Sequence, residues 1–136
     1  MEIECGVLEA NGEVRVSQPG QVVIDERFDF YDFESKYLDS ATTAIIPAPI
    51  PVEALAEIRR LAALAFTSLG CSGIARVDFF YRSNGQIVIN ELNTMPGFTP
   101  TSMYPVLWAD SGVSYANIIH ELIKTGLTRT NSVLGN

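Results

Sequence analysis

Apolar residues along this chain recur first at strand-like spacing, then at helical spacing, then at strand-like spacing again. Ile3 to Leu8 and Glu13 to Val16 flank Glu9-Ala10-Asn11-Gly12, a turn composition, so the two runs predict a first hairpin. Pro19-Gly20 then turns the chain into a third strand near Val22 to Glu26. From Phe28 to Ser40 (FDFYDFESKYLDS) aromatics alternate with carboxylates without a clean period, and the segment reads as an ordered loop. Ala44 to Ile46 is a short strand, stopped by the stiff, extended series Pro47, Pro49 and Pro51. Pro51 also opens the strongest helix, with Glu53 in its first turn and Leu55, Ile58, Leu61, Ala62, Ala65, Phe66 and Leu69 at helical spacing until Gly70. Such a stripe has to cover a sheet. After a central hairpin, Ala75 to Pro100, a short helix is predicted over Pro105 to Asp110. A longer one follows, capped by Ser114, whose Ile118, Ile119, Leu122 and Ile123 form a buried face ending at Gly126. Thr128 to Asn136 reads as a frayed tail. Strands joined by hairpins, with helices between and after them, predict an α+β domain with a largely antiparallel sheet covered by helices on one face.

The central hairpin concentrates the chemistry. Val77, Phe79, Phe80 and Tyr81 on one arm, and Ile87, Val88 and Ile89 on the other, fit a pleated surface, and Asn84-Gly85 is a strong turn signal. With a two-residue turn there, Asp78 faces Glu91 and Arg76 faces Asn93, all on one face of the sheet. Like charges opposed at about 5 Å between Cβ atoms destabilise a sheet unless something positive lies between them. A divalent cation suits these hard oxygen ligands. A three-residue loop would flip one strand and part the carboxylates, whereas a four-residue loop, Arg82 to Gly85, would leave them diagonal neighbours. The plainer alternative is a hairpin with solvated charges on its outer face. Against it stand the alternation of Glu91 and Asn93 with apolar positions and the glycine-proline loop that follows at once.

Composition narrows the partners. With 136 residues, 47% hydrophobic and 18% charged, the chain is of a size and composition for one globular domain. A net charge of -7 without a basic cluster speaks against non-specific nucleic-acid binding. No apolar run reaches the roughly 18 residues of a membrane helix, and no secretory signal is visible, so a cytoplasmic location is expected. Cys5 and Cys71, far apart and without a CxxC spacing, read as buried free thiols. Met1 stands directly before a strand-like run, which predicts a chain cut from within a larger protein.

Other candidates carry alternatives. His120 reads as a surface or packing residue of the last helix, and Met95 and Trp108 are expected to pack. Lys36-Tyr37 either closes an aromatic-rich loop over a bound anion or is solvated surface. Arg76 either pairs structurally with the carboxylates or steadies a developing negative charge. Gly97-Phe98-Thr99-Pro100-Thr101-Ser102 offers backbone donors and hydroxyls to a carboxylate or phosphate. Neither a GxxxxGKS/T nor a GxGxxG loop is present, and nothing forms an evident adenine pocket. The carboxylates therefore look like half of a nucleotide site.

Three segments, FYDFESKY, GCSGIARVDFF and INELNTMPGFTPTSMYP, together resemble the C-terminal part of the D-alanine–D-alanine ligases of the ATP-grasp superfamily, from about Glu2 to Arg129. The resemblance implies residues 1–129 as the C-terminal part of an ATP-grasp domain and 130–136 as a flexible tail. It implies an enzyme that makes an acyl phosphate from D-alanine and ATP, which a second D-alanine attacks to give the dipeptide for peptidoglycan. Asp78, Glu91 and Asn93 would be ligands of two magnesium or manganese ions, and Glu2, Lys36, Asn90 and Glu91 would contact ATP. Arg76, Gly97, Lys36 and Tyr37 would be catalytic, with Ser102 and Met103, the latter where leucine is usual, at the second D-alanine. The family's N-terminal and central domains would supply the rest of the site, so the chain alone is expected to be inactive; its relatives also imply a homodimer. D-lactate or D-serine as second substrate, a non-catalytic metal-binding module and a metal-dependent hydrolase are the competing readings.

Overall fold

The computed structural model describes residues 1–24 and 42–128. In chain order its elements are β1 (Glu2–Ala10), β2 (Glu13–Val16), β3 (Gly20–Ile24), β4 (Thr42–Ile45), α1 (Val52–Ser68), β5 (Ile74–Tyr81), β6 (Ile87–Asn93), α2 (Met103–Asp110) and α3 (Tyr115–Thr128). The strands form one sheet in the order β4-β3-β1-β5-β6, with β2 also on β1, and every pairing is antiparallel. The far end of the predicted third strand, the Phe28 to Ser40 loop with Lys36 and Tyr37, and the tail from Arg129 onward all lie outside the described residues.

One edge of β1 belongs to β5; the other is shared, β3 pairing at Ile3 and Glu4 and β2 from Val7 to Ala10. Ser17 fills the break between them. Its N–H donates to the Gly6 carbonyl at 2.9 Å, and its Oγ accepts from the Gly6 N–H at 2.9 Å, so the ladder loses no backbone bond there. Asn11 and Gly12, at φ 54° and 77°, make the two-residue turn of the first hairpin.

Strand alternation divides the side chains between two covers. Ile3, Cys5, Val7, Ala75, Val77 and Phe79 pack with Ile58, Ala62 and Phe66 of α1. On the opposite face Leu8 and Ala10, with Ile74 against them, join Tyr104 and Trp108 of α2, Val113, and Ile118 of α3. The expectation of one covered face is therefore corrected: helices lie on both. Gly6 makes the second cover possible, because a Cβ there would stand 2.9 Å from Trp108 Nε1 and 3.2 Å from Tyr104 Cε2. The Tyr104 hydroxyl donates to the Val7 carbonyl at 2.8 Å, which fixes α2 to the strand.

The expected helices are present with corrections, the first that α2 begins at Met103, two residues before Pro105. Leu69, read as the end of the α1 stripe, is 68% exposed, since the helix stops at Ser68. In α3 the sheet-facing side is Ile118 with half-buried Leu122, while Ile119 and Ile123 are exposed, and the helix continues past Gly126 to Thr128. Met95 is 87% exposed, whereas Trp108 packs as expected. His120 is exposed on α3. Both cysteines are free; Cys5 is wholly buried, which pushes its thiol up to about 12, and Cys71 is half-buried. Among the described residues no helix is long and apolar enough to cross a membrane.

A methyl group at Gly6 has to displace aromatic rings that are themselves buried, so Gly6→Ala should cost about 1–3 kcal/mol of stability by the usual overpacking penalty. Urea melts check this: Gly6→Ala should shift the midpoint down, while Gly12→Ala, with open space around it but a positive φ, reports the backbone effect without the clash.

Candidate functional site

The second hairpin reaches the expected register by an unexpected route. Arg82 N–H donates to the Gln86 carbonyl at 2.9 Å and Gly85 N–H to the Arg82 carbonyl at 2.9 Å, leaving Ser83, Asn84 and Gly85 as a three-residue loop with Gly85 at φ 81°. Tyr81 then pairs with Ile87, Phe80 with Val88 and Phe79 with Ile89, a register that taken alone would put Asp78 opposite Asn90. A bulge follows. Asn90 is the extra residue, and beyond it Asp78 pairs with Glu91, Val77 with Leu92 and Arg76 with Asn93. The odd loop flips one strand and the bulge flips it back, so the two-residue turn is corrected while the opposed carboxylates stand.

Two rows of side chains now cross β1, β5 and β6 on one face: Glu4, Asp78 and Glu91, then Gly6, Arg76 and Asn93. This is the face that carries α2 and α3 at its Leu8 and Ile74 end. The charged end is a different environment on the same strands. Arg76 holds Asp78 with both arms of its fork, Nε to Oδ1 at 2.8 Å and Nη2 to Oδ2 at 2.7 Å. Its Nη2 also lies 3.9 Å from Glu91 Oε1, and its Nε 3.2 Å from Glu4 Oε2. The positive charge demanded by the opposed carboxylates is thus supplied by Arg76, and Asp78 is only 3% exposed. The hydrogen bonds it donates to Asp78 raise the guanidinium above its ordinary range against the effect of burial, so it is a fixed cation.

Glu4 is the member of this group that the sequence reading missed. It is 8% exposed, and its Oε2, although close to Arg76 Nε, completes no hydrogen bond. Burial pushes its carboxyl up to about 7, Arg76 opposes the rise, and Asp78, Glu2 and Glu91 add to it. A local signal existed, since Glu2 and Glu4 alternate with Ile3 and Cys5, but its meaning depends on β1 lying beside β5, across some seventy residues of chain.

The remaining candidates sit as follows. Glu2 is half-buried on the same face as Glu4, and Asn90 is exposed at the bulge. Asn93 Oδ1 accepts from the Met95 N–H at 2.9 Å and so turns the chain out of β6 into the loop. That loop is anchored by Phe98, whose ring lies 6.0 Å from Tyr104 and 5.3 Å from Tyr115, and whose carbonyl accepts from the Tyr115 hydroxyl at 2.8 Å. Gly97 and Ser102 come together at its mouth: a Cβ on Gly97 would lie 3.1 Å from Ser102 Oγ. The Ser102 hydroxyl meanwhile accepts from Thr99 N–H at 3.0 Å and is 2.8 Å from Thr99 Oγ1, and Met103 begins α2 half-buried.

Among the described residues no cluster of three or more His, Cys, Asp or Glu is arranged around a metal. The donor set nonetheless fits a hard divalent cation. Glu91 has a 58% exposed side chain whose nearest ionic contact among the described residues is Arg76 at 3.9 Å, and it stands opposite Asp78 with Asn93 two residues on.

An antiparallel sheet with helices on both faces, one end of one face left to acid and arginine, is the C-terminal lobe of the ATP-grasp fold, shared with solved ligase structures. The chain belongs to the family described as D-ala D-ala ligase C-terminus, whose model matches residues 1–124. It is 49% identical over 132 residues to a D-alanine–D-alanine ligase of Streptomyces griseus, covering 97% of this chain and 34% of that protein. A D-alanine–D-alanine ligase of Pseudarthrobacter chlorophenolicus is 53% identical over 132 residues, covering 94% of this chain and 35% of that protein. The VanG D-Ala:D-Ser ligase of Enterococcus faecalis superposes with a TM-score of 0.74 at 36% identity, covering 91% of this chain and 35% of that one. The chain thus spans about a third of the length of these relatives.

The raised Glu4 pKa makes a signed prediction. Between its ordinary 4.5 and about 7 the folded chain holds a proton that the unfolded chain has released, so stability falls as pH rises through that window. Circular-dichroism melts should show Tm declining from about pH 5 to about pH 7.5, and Glu4→Gln should flatten the decline. An equal decline in the two proteins would assign it to other groups.

Proposed function

We propose that this chain is the C-terminal catalytic part of an ATP-dependent ligase that joins two D-alanines for peptidoglycan in the cytoplasm. Family membership gives the class of reaction; the single observation that carries the site assignment is the β5–β6 register that sets Asp78 against Glu91 and Arg76 against Asn93. A carboxylate oxygen of the first D-alanine attacks the γ-phosphorus of ATP and ADP leaves. The amine of the second then attacks the acyl carbon, phosphate leaves with the bonding pair, and the amine's proton passes to the departing phosphate or to water.

In this reading Asp78, Glu91 and Asn93 would hold two magnesium or manganese ions, which neutralise phosphate charge when bound. Arg76 is a cation fixed beside them, suited to the negative charge that grows on the acyl oxygen, and the Gly97 N–H donates to the same oxygen. Ser102 and Met103, where the Phe98-anchored loop meets α2, receive the second amino acid. Glu2, Asn90 and Glu91 face ATP. By the family resemblance Lys36 and Tyr37 would contact the phosphates and cover the substrate. The first D-alanine's pocket, the phosphate-binding lysines and the adenine hinge come from the two thirds of the relatives' length that this chain does not span, and a homodimer is formed by the whole ligase.

Likeness to a D-Ala:D-Ser ligase favours one second reading, D-serine in place of the second D-alanine. Either way the reacting nucleophile must be oriented at Ser102 and Met103.

Phosphate release with ATP, magnesium and D-alanine tests the proposal. The chain alone should give no turnover above background and the full-length ligase containing it should turn over. In that ligase, Arg76→Ala and Asp78→Asn should each lower kcat by roughly a hundredfold or more. Robust turnover by the isolated chain would refute the reading that it holds only part of the site, and an inactive full-length protein that still binds magnesium would favour a non-catalytic module. Parallel assays with D-serine and D-lactate decide the second substrate.

A further inference from the structure

Asp78 faces a conflict within the site. Both of its oxygens are held by Arg76, at 2.8 and 2.7 Å, in a position only 3% exposed. Each oxygen keeps a second lone pair, but at 3% exposure Asp78 has to turn to offer one to a cation, and turning loosens at least one of its bonds to Arg76. The guanidinium that lets go is then left in a partly buried position without its partner, which is strongly unfavourable unless another anion accepts it. Glu91 is a poor acceptor, because it lies 3.9 Å away, points largely into solvent and belongs to the same ligand set. Glu4 is different: it is buried, its Oε2 is already 3.2 Å from Arg76 Nε, and that oxygen completes no hydrogen bond. It is also an acid of the row that has no place among the proposed ligands.

We propose that Glu4 is the positioning residue for Arg76, the second partner to which the guanidinium turns when a divalent cation draws Asp78 away. Arg76 is then a two-position arm. With Asp78 it closes the empty charge cluster; with Glu4 it stays oriented over the site as a cation while Asp78 serves the metal. The planar fork suits such a transfer, since Nε already faces both carboxylates and a small rotation completes the bond to Glu4. This inference rests on the proposed cation site.

The test is a Mn2+ titration, followed by the electron paramagnetic resonance of free Mn2+, on the full-length ligase with a non-hydrolysable ATP analogue. Variants are Glu4→Gln, Glu4→Asp, Asp78→Asn, Arg76→Gln and the pair Glu4→Gln with Arg76→Gln. Glu4→Gln should weaken Mn2+ roughly tenfold, the usual size of an effect relayed through a ligand's neighbour, and Glu4→Asp should recover part of it. In the Arg76→Gln background Glu4→Gln should change nothing further, because the arm it positions is gone. A purely structural Glu4 would weaken both backgrounds equally, which overturns the proposal. Wild-type Mn2+ affinity in Glu4→Gln overturns the transfer while leaving the cation site standing. Indifference of Mn2+ binding to Asp78→Asn overturns both together.

Discussion

β1 is hydrogen-bonded along both edges and packed on both faces, and the rest of the molecule is arranged around that constraint. Every residue from Ile3 to Leu8 is buried. A strand in this position has to be apolar wherever no partner can be provided, and Ile3, Cys5, Val7 and Leu8 obey. Gly6 gives up its side chain so that α2 can lie on the sheet. Glu4 is the exception, and it obliges the neighbouring strand to bring a cation. Arg76 is that cation, two residues along β5 from Asp78, which lies opposite Glu4, and on the same face.

From this follows the division of the second face. Where Leu8, Ala10 and Ile74 present hydrocarbon, Tyr104, Trp108 and Ile118 cover it. Where Glu4, Asp78 and Glu91 present charge, a hydrophobic cover alone would leave ions unpaired, and Arg76 lies among them instead. The aromatic cluster of Phe98, Tyr104 and Tyr115 stands at the border, tying the loop after β6 to the covered end. Rigid packing on one side thus holds a polar loop next to ionised groups on the other, the arrangement that a site for a charged substrate needs.

Much of this was legible from local patterns. Most strands and helices among the described residues had a signal within or beside their own residues: apolar spacing, Pro51 before α1, Ser114 before α3, Asn-Gly in both turns. The same dipeptide nevertheless built two different turns, because both residues take positive φ at Asn11-Gly12 while only the glycine does at Asn84-Gly85. Strand twist and packing decide that, and neither is written in the dipeptide. The Asp78–Glu91 pairing was readable and the Asn90 bulge was not, since three consecutive exposed residues, Ile89 to Glu91, break an alternation only after the register is known. What stayed hidden was non-local: the β1–β5 pairing that brings Glu4 to Arg76, the second helical cover, and the side of α3 that faces the sheet. The roles assigned through the family resemblance at Lys36 and Tyr37 lie outside the described residues.

The loop and the bulge of the second hairpin cancel one another, and this has a consequence for the gene. A lost or gained codon in the turn would leave a foldable hairpin whose far end presents Asn90 or Leu92 to Asp78 in place of Glu91. The frame of the protein would survive and its charge array would not. Length changes on the two sides of Phe79 can therefore pass selection only as compensated pairs, so that in descendants of this sequence the turn and the bulge should be inherited, or lost, as a single trait.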